Sequence, residues 1–336
     1  MVMTKVAIVI LNYNGQAFLE RFLPGVIQHS AECEIIVADN CSTDHSVAYV
    51  KDQFPTIRLL QLEENYGFSK GYNEALKQVE ATYYVLLNSD VEVTENWVSP
   101  VVDFMEDHPQ VAACQPKIKA FHNPNEFEYA GAAGGLIDLL GYPFCRGRLL
   151  QTIETDEGQY DDRSAIFWAT GACLFVKAEL FHQVGGFDSD YFAHMEEIDF
   201  CWRLKMAGYE IFYIPESTVL HVGGGTLPRE SPRKTYLNFR NSLATLFKNE
   251  PLRRLWWKLP VRLALDAIAA IKFLLSDGWD NFIAVVRANV DFYLMLPKLY
   301  RKRQVARQFQ HPVEPSYKGL LVWKYFIDGK RTYAEL

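Results

Sequence analysis

The stretch Tyr83-Tyr84-Val85-Leu86-Leu87-Asn88-Ser89-Asp90-Val91-Glu92-Val93 decides the fold. Its apolar run has the length of one strand buried on both faces, and it stops abruptly at small polar and acidic groups. In an open α/β sheet, ligands sit beyond the carboxyl ends of the strands, so Asn88, Ser89 and Asp90 fall where a ligand belongs. A carboxylate at such a tip suits a hard divalent cation held against phosphate oxygens. The plain alternative is that Ser89-Asp90 turns the chain or caps a helix starting near Thr94. The surrounding sequence decides between the two.

Upstream, the pattern repeats. Val6–Leu11, Glu34–Ala38 and Ile57–Leu62 read as strands, each followed by a helical segment. They end respectively at Asn12-Tyr13-Asn14-Gly15, Asp39-Asn40 and Asn65-Tyr66-Gly67, and Ser42 or Thr43 is placed to cap the second helix. This βαβα rhythm predicts a mostly parallel sheet covered by helices, an α/β fold. Four strand ends with polar clusters on one edge are more than packing requires. Val111–Cys114 predicts a fifth strand.

Downstream, residues 119–165 are rich in Gly, Asn, Pro and Asp and predict a flexible, loop-rich insertion over the site. Their cluster Gly131-Ala132-Ala133-Gly134-Gly135 lacks the register of a phosphate loop. Strand patterns return at 172–176, 210–214 and 218–222, with a helix around 195–207. From Pro232 the chain reads as helical. A catalytic domain over 1–228 and a helical region over 229–336 are the expected divisions.

The chain of 336 residues carries a net charge of −7 and a pI near 5.7, which argues against nucleic acid as a partner. Residues 251–310 reverse the trend, with 11 Lys/Arg against 4 Asp/Glu. Amphipathic helices with Trp256, Trp257 and basic residues suit an anionic membrane surface, or else they pack on the catalytic domain or a second subunit. Arg262, Asp266, Lys272 and Asp277 interrupt the apolar faces too often for a membrane span. The six cysteines are scattered without a C-x-x-C pair and read as reduced thiols, and the N-terminus shows no signal-peptide pattern. A cytoplasmic protein, peripheral on the inner face of the membrane, is expected.

Two further constellations carry chemistry. In Gly185-Gly186-Phe187-Asp188-Ser189-Asp190 through Glu196-Glu197-Ile198-Asp199, acids gather at the start of a helix. Three carboxylates within four residues repel one another, which raises a pKa toward the range of a general base. Asp199 and Arg203 are also spaced for an ordinary ion pair. His221 ends a strand and precedes Gly223-Gly224-Gly225; a lone histidine is more often structural than a ligand, but this one shares the edge with aspartates.

Together with Leu11-Asn12-Tyr13-Asn14, Asp39-Asn40-Cys41-Ser42-Thr43-Asp44, Thr170-Gly171-Ala172 and Tyr236-Leu237-Asn238-Phe239-Arg240-Asn241, these motifs make the chain resemble inverting family 2 glycosyltransferases of the GT-A fold over about residues 5–250. The likeness is to the rhamnosyltransferase and galactofuranosyltransferase branch. The resemblance implies that Leu11, Tyr13, Asp39, Asn65, Gly67, Asn73, Asn88, Ser89 and Asp90 bind a dTDP- or UDP-sugar. It implies that Asp90 and His221 hold Mn²⁺ or Mg²⁺, and that Gly171 and Trp202 meet a saccharide or lipid-linked saccharide acceptor. The general base is Glu197 by position, with Glu196 and Asp199 as alternatives. Asn88 stands where the family's motif has its first acid. A sugar nucleotidyltransferase or a catalytically silent sugar-binding protein is the competing reading.

Overall fold

The computed structural model describes residues 4–223, 231–276, 278–309 and 311–336. The first half is the expected alternation: β1 (Thr4–Asn12), α1 (Gln16–Gln28), β2 (Glu34–Asp39), α2 (Ser46–Gln53), β3 (Arg58–Gln61), α3 (Gly67–Leu76) and β4 (Ala81–Asn88). After β5 (Val91–Val93) and α4 (Ser99–Asp107) comes the long β6 (Val111–Ala120). β1 pairs in parallel with β2 and β4, and β2 with β3, so all four carboxyl ends share an edge. Alternate residues of β1 serve opposite faces: Ala7 and Val9 enter one core, Ile8 and Ile10 the other. That double burial is why the strand sequence is continuously apolar.

Residues 119–165 differ from expectation. They form β7 (Gly135–Ile137), β8 (Pro143–Cys145), β9 (Arg148–Leu149) and β10 (Thr152–Ile153), a small antiparallel sheet, and then β11 (Ser164–Ala165). Strands of two or three residues are too short to leave a period in the sequence. The glycines serve close packing: a Cβ on Gly135 would lie 2.1 Å from the Trp168 ring, and one on Gly131 2.7 Å from Thr170.

β12 (Cys173–Lys177), α5 (Ala178–Gln183), α6 (Glu196–Met206) and β13 (Glu210–His221) complete the catalytic half. The main sheet has nine strands in the order β11-β13-β6-β12-β4-β1-β2-β3, with β5 on β13. β12 runs antiparallel between β4 and β6. The two strand patterns at 210–214 and 218–222 are one strand, irregular in register between Ile214 and Thr218. Two smaller expectations are also corrected. α2 begins at Ser46, with Asp44 rather than Ser42 or Thr43 accepting its first N–H (3.0 Å). The helix after β5 begins at Ser99, not near Thr94, whose hydroxyl is spent on the Thr218 carbonyl (2.8 Å).

Three long helices follow: α7 (Pro232–Asn249), α8 (Leu252–Ser276) and α9 (Trp279–Ala306), then a short α10 (Leu321–Phe326). α7 starts with Pro232 in its first turn and Ser231 accepting the Lys234 N–H (3.2 Å), a proper N-cap. The tail returns to the small sheet, where Leu321 is buried with Leu136, Phe144 and Leu149. Among the described residues no helix is long and apolar enough to cross a membrane.

Part of the basic excess turns inward. Lys258 pairs with Glu250 (2.9 Å), Arg262 donates to the Leu140 carbonyl (2.9 Å) and the Ser242 hydroxyl (2.6 Å), and Arg303 reaches the Phe247 carbonyl. Lys298 and Lys302 clamp acids of the catalytic half. The outward faces of α8 and α9 carry large apolar side chains, with Trp256, Ile268, Ile271, Leu275, Trp279 and Leu294 all more than half exposed, beside exposed Arg253, Lys272 and Arg301.

Candidate active site

At the end of β2, Asp39 is buried and both its oxygens are used: Asn12 donates to one (3.1 Å) and the Ser42 N–H to the other (2.9 Å). Cys41 takes a left-handed φ of 63° to make that turn. Tyr13 stands beside it with an exposed ring, free to stack on a planar base. Leu11 is half-buried at the end of β1, against Gly71.

The next loop is ordered by Asn40, a residue not singled out as a site group. Its amide donates to Asn65 (3.1 Å) and the Gly67 carbonyl (3.0 Å), and its oxygen accepts the Tyr66 N–H (3.0 Å). Gly67 has φ +71°, and a Cβ there would lie 2.6 Å from the Phe192 ring. Only glycine serves at such a position. Asn73, expected to line the donor, is occupied otherwise. Its oxygen accepts the Phe187 N–H (2.9 Å) while its amide donates to the Phe187 carbonyl (2.8 Å), a clamp on the segment leading to the acids.

Asp90 and His221 meet. The β13–β5 pairing sets His221 opposite Val91, and Nε2 lies 3.2 Å from the Asp90 carboxylate. Behind the ring, Glu128 lies 3.5 Å from Nδ1. Burial works to lower the imidazole pKa, but the Glu128 and Asp90 carboxylates outweigh it and lift it to about 10. Burial likewise works to raise Asp90, and His221 nonetheless holds it below its usual value. A carboxylate, a histidine facing it and a second carboxylate behind the ring is the support pattern of metal-binding histidines. Among the described residues no group of three or more His, Cys, Asp or Glu could hold an ion unaided. Two protein groups with diphosphate oxygens and water fit Mg²⁺ or Mn²⁺ chemistry, since such ions usually keep waters and bind substrate phosphates. Asn88 and Ser89 are half-buried beside Asp90, and the Asn88 N–H is spent on the Ala172 carbonyl (3.0 Å). Gly224 and Gly225 lie outside the described residues.

The acids of α6 separate into two kinds. Asp199 is fully buried, 3.0 Å from Arg203 and 2.9 Å from Lys248, with Asn249 donating at 2.8 Å. Burial favours its neutral form, yet Lys248 and Arg203 keep its carboxyl below the usual range. So held by two cations and an amide, it is the least suited of the three candidate bases to take a proton from a substrate. Glu196 and Glu197 each leave one oxygen without a hydrogen-bond partner. Burial, then the charge of Glu197, pushes Glu196 well above an ordinary carboxylate, and burial lifts the half-buried Glu197 to about 7.

The preceding turn is strained. His194 and Met195 both adopt left-handed φ, 69° and 73°. Asn241 of α7 holds it by donating to the Ala193 (3.0 Å) and His194 (2.8 Å) carbonyls. Lys248 also reaches Asp188, which Lys302 of α9 grips from the other side; Lys302 and Lys298 take Asp190. The helical region is thus part of the scaffold of the acids. Gly171 touches the Phe68 ring, 2.9 Å from where a Cβ would stand. Trp202 is only 3 % exposed, packed edge-on against Phe167 in the core, so it offers no face to an acceptor and that expectation is corrected.

Comparison with known proteins identifies the family and the fold. The family described as Glycosyl transferase family 2 matches residues 7–185. An N-acetylglucosaminyl-diphospho-decaprenol L-rhamnosyltransferase of Mycobacterium tuberculosis is 26% identical over 284 residues, covering 79% of this chain and 90% of that protein. In three dimensions the chain is similar to GalNAc-T7 solved with UDP, GalNAc and Mn²⁺ (TM-score 0.58, 16% identity, 93% of this chain) and spans 59% of that protein's chain. It is also similar to a mannosyltransferase of Pyrobaculum calidifontis in complex with GDP-Man and Mn²⁺ (TM-score 0.52, 16% identity, 97% of this chain and 88% of that one).

Proposed function

The chain belongs to glycosyl transferase family 2, and on that premise we propose that it moves a sugar, rhamnose first among the candidates, from a dTDP- or UDP-linked donor to a hydroxyl of a lipid-linked saccharide in cell-surface polysaccharide synthesis. The observation that carries this reading is the meeting of Asp90 and His221 at 3.2 Å on the carboxyl edge of the sheet. The unpaired acids of α6 supply the base. The rhamnosyl and lipid-diphosphate elements are suggested by the printed name of the mycobacterial relative.

In this reading Tyr13 stacks on the base, Asp39 and its turn receive the base edge, and the loop at Asn65 and Gly67 faces the diphosphate. Asp90 and His221 would hold a divalent cation, which neutralises charge on the departing nucleoside diphosphate. Glu197 takes the proton from the acceptor hydroxyl as its oxygen attacks the anomeric carbon opposite the leaving diphosphate. One displacement inverts that carbon and needs no covalent enzyme intermediate. Glu196 sits deeper, and its protonated form spares Glu197 a second adjacent charge.

The exposed apolar faces of α8 and α9 support a resting place on the cytoplasmic face of the membrane. A helix with Trp and aliphatic residues on one side lies in the interface without spanning it.

The test is a panel of nucleoside diphosphates and their sugars with Mn²⁺, read by thermal shift and by release of nucleoside diphosphate. Stabilisation by UDP or dTDP, and an inverted anomeric signal in the product, are expected. Indifference to every nucleotide overturns the reading.

A further inference from the structure

A groove of about 840 Å³ opens between the first turns of α7 and of α9, outside the donor edge. Phe192, Arg233, Tyr236, Arg240, Trp279 and Arg287 line it. Three guanidiniums in one groove are conspicuous in a chain of net charge −7, and Asp280 is the one carboxylate among the described lining residues.

The arginines are held by aromatic faces. Arg233 lies 4.9 Å from the Phe192 ring centre, and Arg240 and Arg287 flank Tyr236 at 5.2 and 5.3 Å. The Tyr236 hydroxyl is fixed by donation to Asp291 (2.6 Å). Arg240 donates to Asn241 (2.9 Å), to the Tyr236 oxygen (3.2 Å) and to the Asp190 carbonyl (3.1 Å), leaving two of a guanidinium's five N–H groups. Among the described residues, Arg287 makes one ion pair, a loose contact to Asp291 at 3.7 Å. Cations already oriented on rings and keeping spare N–H groups are prepared for a multiply charged oxyanion.

Phe192 is the party wall with the donor site. Its ring crowds Gly67, its carbonyl accepts the Phe68 N–H (2.8 Å), and Glu196 and Glu197 follow a few residues later. On the far side the rim turns apolar: Trp279 and Ile283 are exposed, and Leu274, Leu275, Val286 and Val290 continue that surface over α8 and α9. An occupant with its sugar near Glu197 would have its anionic link among the arginines and its hydrocarbon over the apolar helices.

We propose that this groove binds the diphosphate of a polyisoprenoid-linked acceptor, with Arg233, Arg240 and Arg287 as its anion cradle. The assignment rests on the glycosyltransferase reading above and specifies the acceptor's carrier. A phospholipid headgroup shares the phosphate chemistry, but the groove abuts the base-bearing segment and carries several guanidiniums, which favours the more highly charged diphosphate.

Farnesyl diphosphate in nonionic detergent is the probe, followed by tryptophan fluorescence and calorimetry, with farnesol as the uncharged control. The wild-type chain is expected to bind farnesyl diphosphate at least tenfold more tightly than farnesol. The double variant Arg233→Gln/Arg287→Gln is expected to lose at least tenfold for the diphosphate and little for farnesol, and stabilisation by UDP with Mn²⁺ checks that it is folded. Equal affinity for the two lipids, an unaffected double variant, or complete displacement by UDP overturns the proposal. So does a loss seen only with phosphatidylglycerol vesicles and not with farnesyl diphosphate, which would make the cradle a headgroup site. Failure of the wild type to respond to any nucleotide would strike the glycosyltransferase reading, because the lipid measurement contains no nucleotide.

Discussion

At the scale of single residues, the proposed reaction turns on one carboxyl. Glu197→Gln keeps size and polarity but removes the base, and kcat is expected to fall by about 10²–10⁴. Nucleotide thermal shift should persist; a variant that keeps its rate would remove Glu197 from the mechanism. Burial lifts this acid to about 7, so a base at this position would be protonated and idle below that value. The rate is therefore expected to rise with pH, about tenfold per unit below 7, and to level above it. A profile flat from pH 5 to 8 would contradict the assignment. The residues legible in advance were those at strand ends. Asp90 lies in the turn just past the end of β4 and His221 ends β13, and strand ends are visible wherever an apolar run stops. Glu128, Asn40 and Asn241 were not legible as site groups. Glu128 lies in a segment without period, and the two asparagines act by donating to backbone carbonyls, which places no demand on spacing.

At the scale of elements, the strained turn before α6 depends on α7. Asn241→Asp keeps the shape but removes the donors facing two carbonyls, and puts a negative charge beside them. A loss of about 1–3 kcal/mol is expected in denaturant melts, with kcat reduced as the turn relaxes. Lys248 is the other link. Lys248→Met leaves Asp188 and Asp199 buried with fewer cations, and about 3–5 kcal/mol should be lost. Both carboxyls are held below their usual range, so their contribution is complete above the unfolded value near 3.8 and disappears as pH falls below it. The wild type should accordingly lose stability on acidification, and the variant less steeply. If the two acid melts are parallel, the lysine is not the partner that matters. The parallel half-sheet was readable because strands buried on both faces are continuously apolar. The small sheet of β7–β10 was not, because its glycines are selected for contact with Trp168 and Thr170 and look in sequence like flexibility.

At the scale of the whole molecule, the helical region has two sides with different tasks. Lys258, Arg262, Lys302 and Arg303 face inward, so part of the basic excess is consumed by the protein itself. The exposed side carries large apolar side chains beside the remaining basic ones. Replacing Leu275 and Trp279 together by Glu should abolish flotation with liposomes while leaving the melting temperature within a few degrees, since both side chains are in solvent. Flotation that survives the change would move the membrane contact elsewhere. The long amphipathic helices were legible; the direction of their charges was not, because a lysine on a helix reads the same whether its partner is water or a buried aspartate.

The lysines that settle Asp188, Asp190 and Asp199 come at positions 248, 298 and 302, long after the acids they neutralise. During synthesis the sheet can form while the acid-bearing segment still awaits its counter-charges, so the ribosome must deliver the chain through Lys302 before all of these acids are paired. A premature stop codon anywhere ahead of Lys302 would spare the strands of the sheet yet leave Asp188 and Asp190 without that lysine.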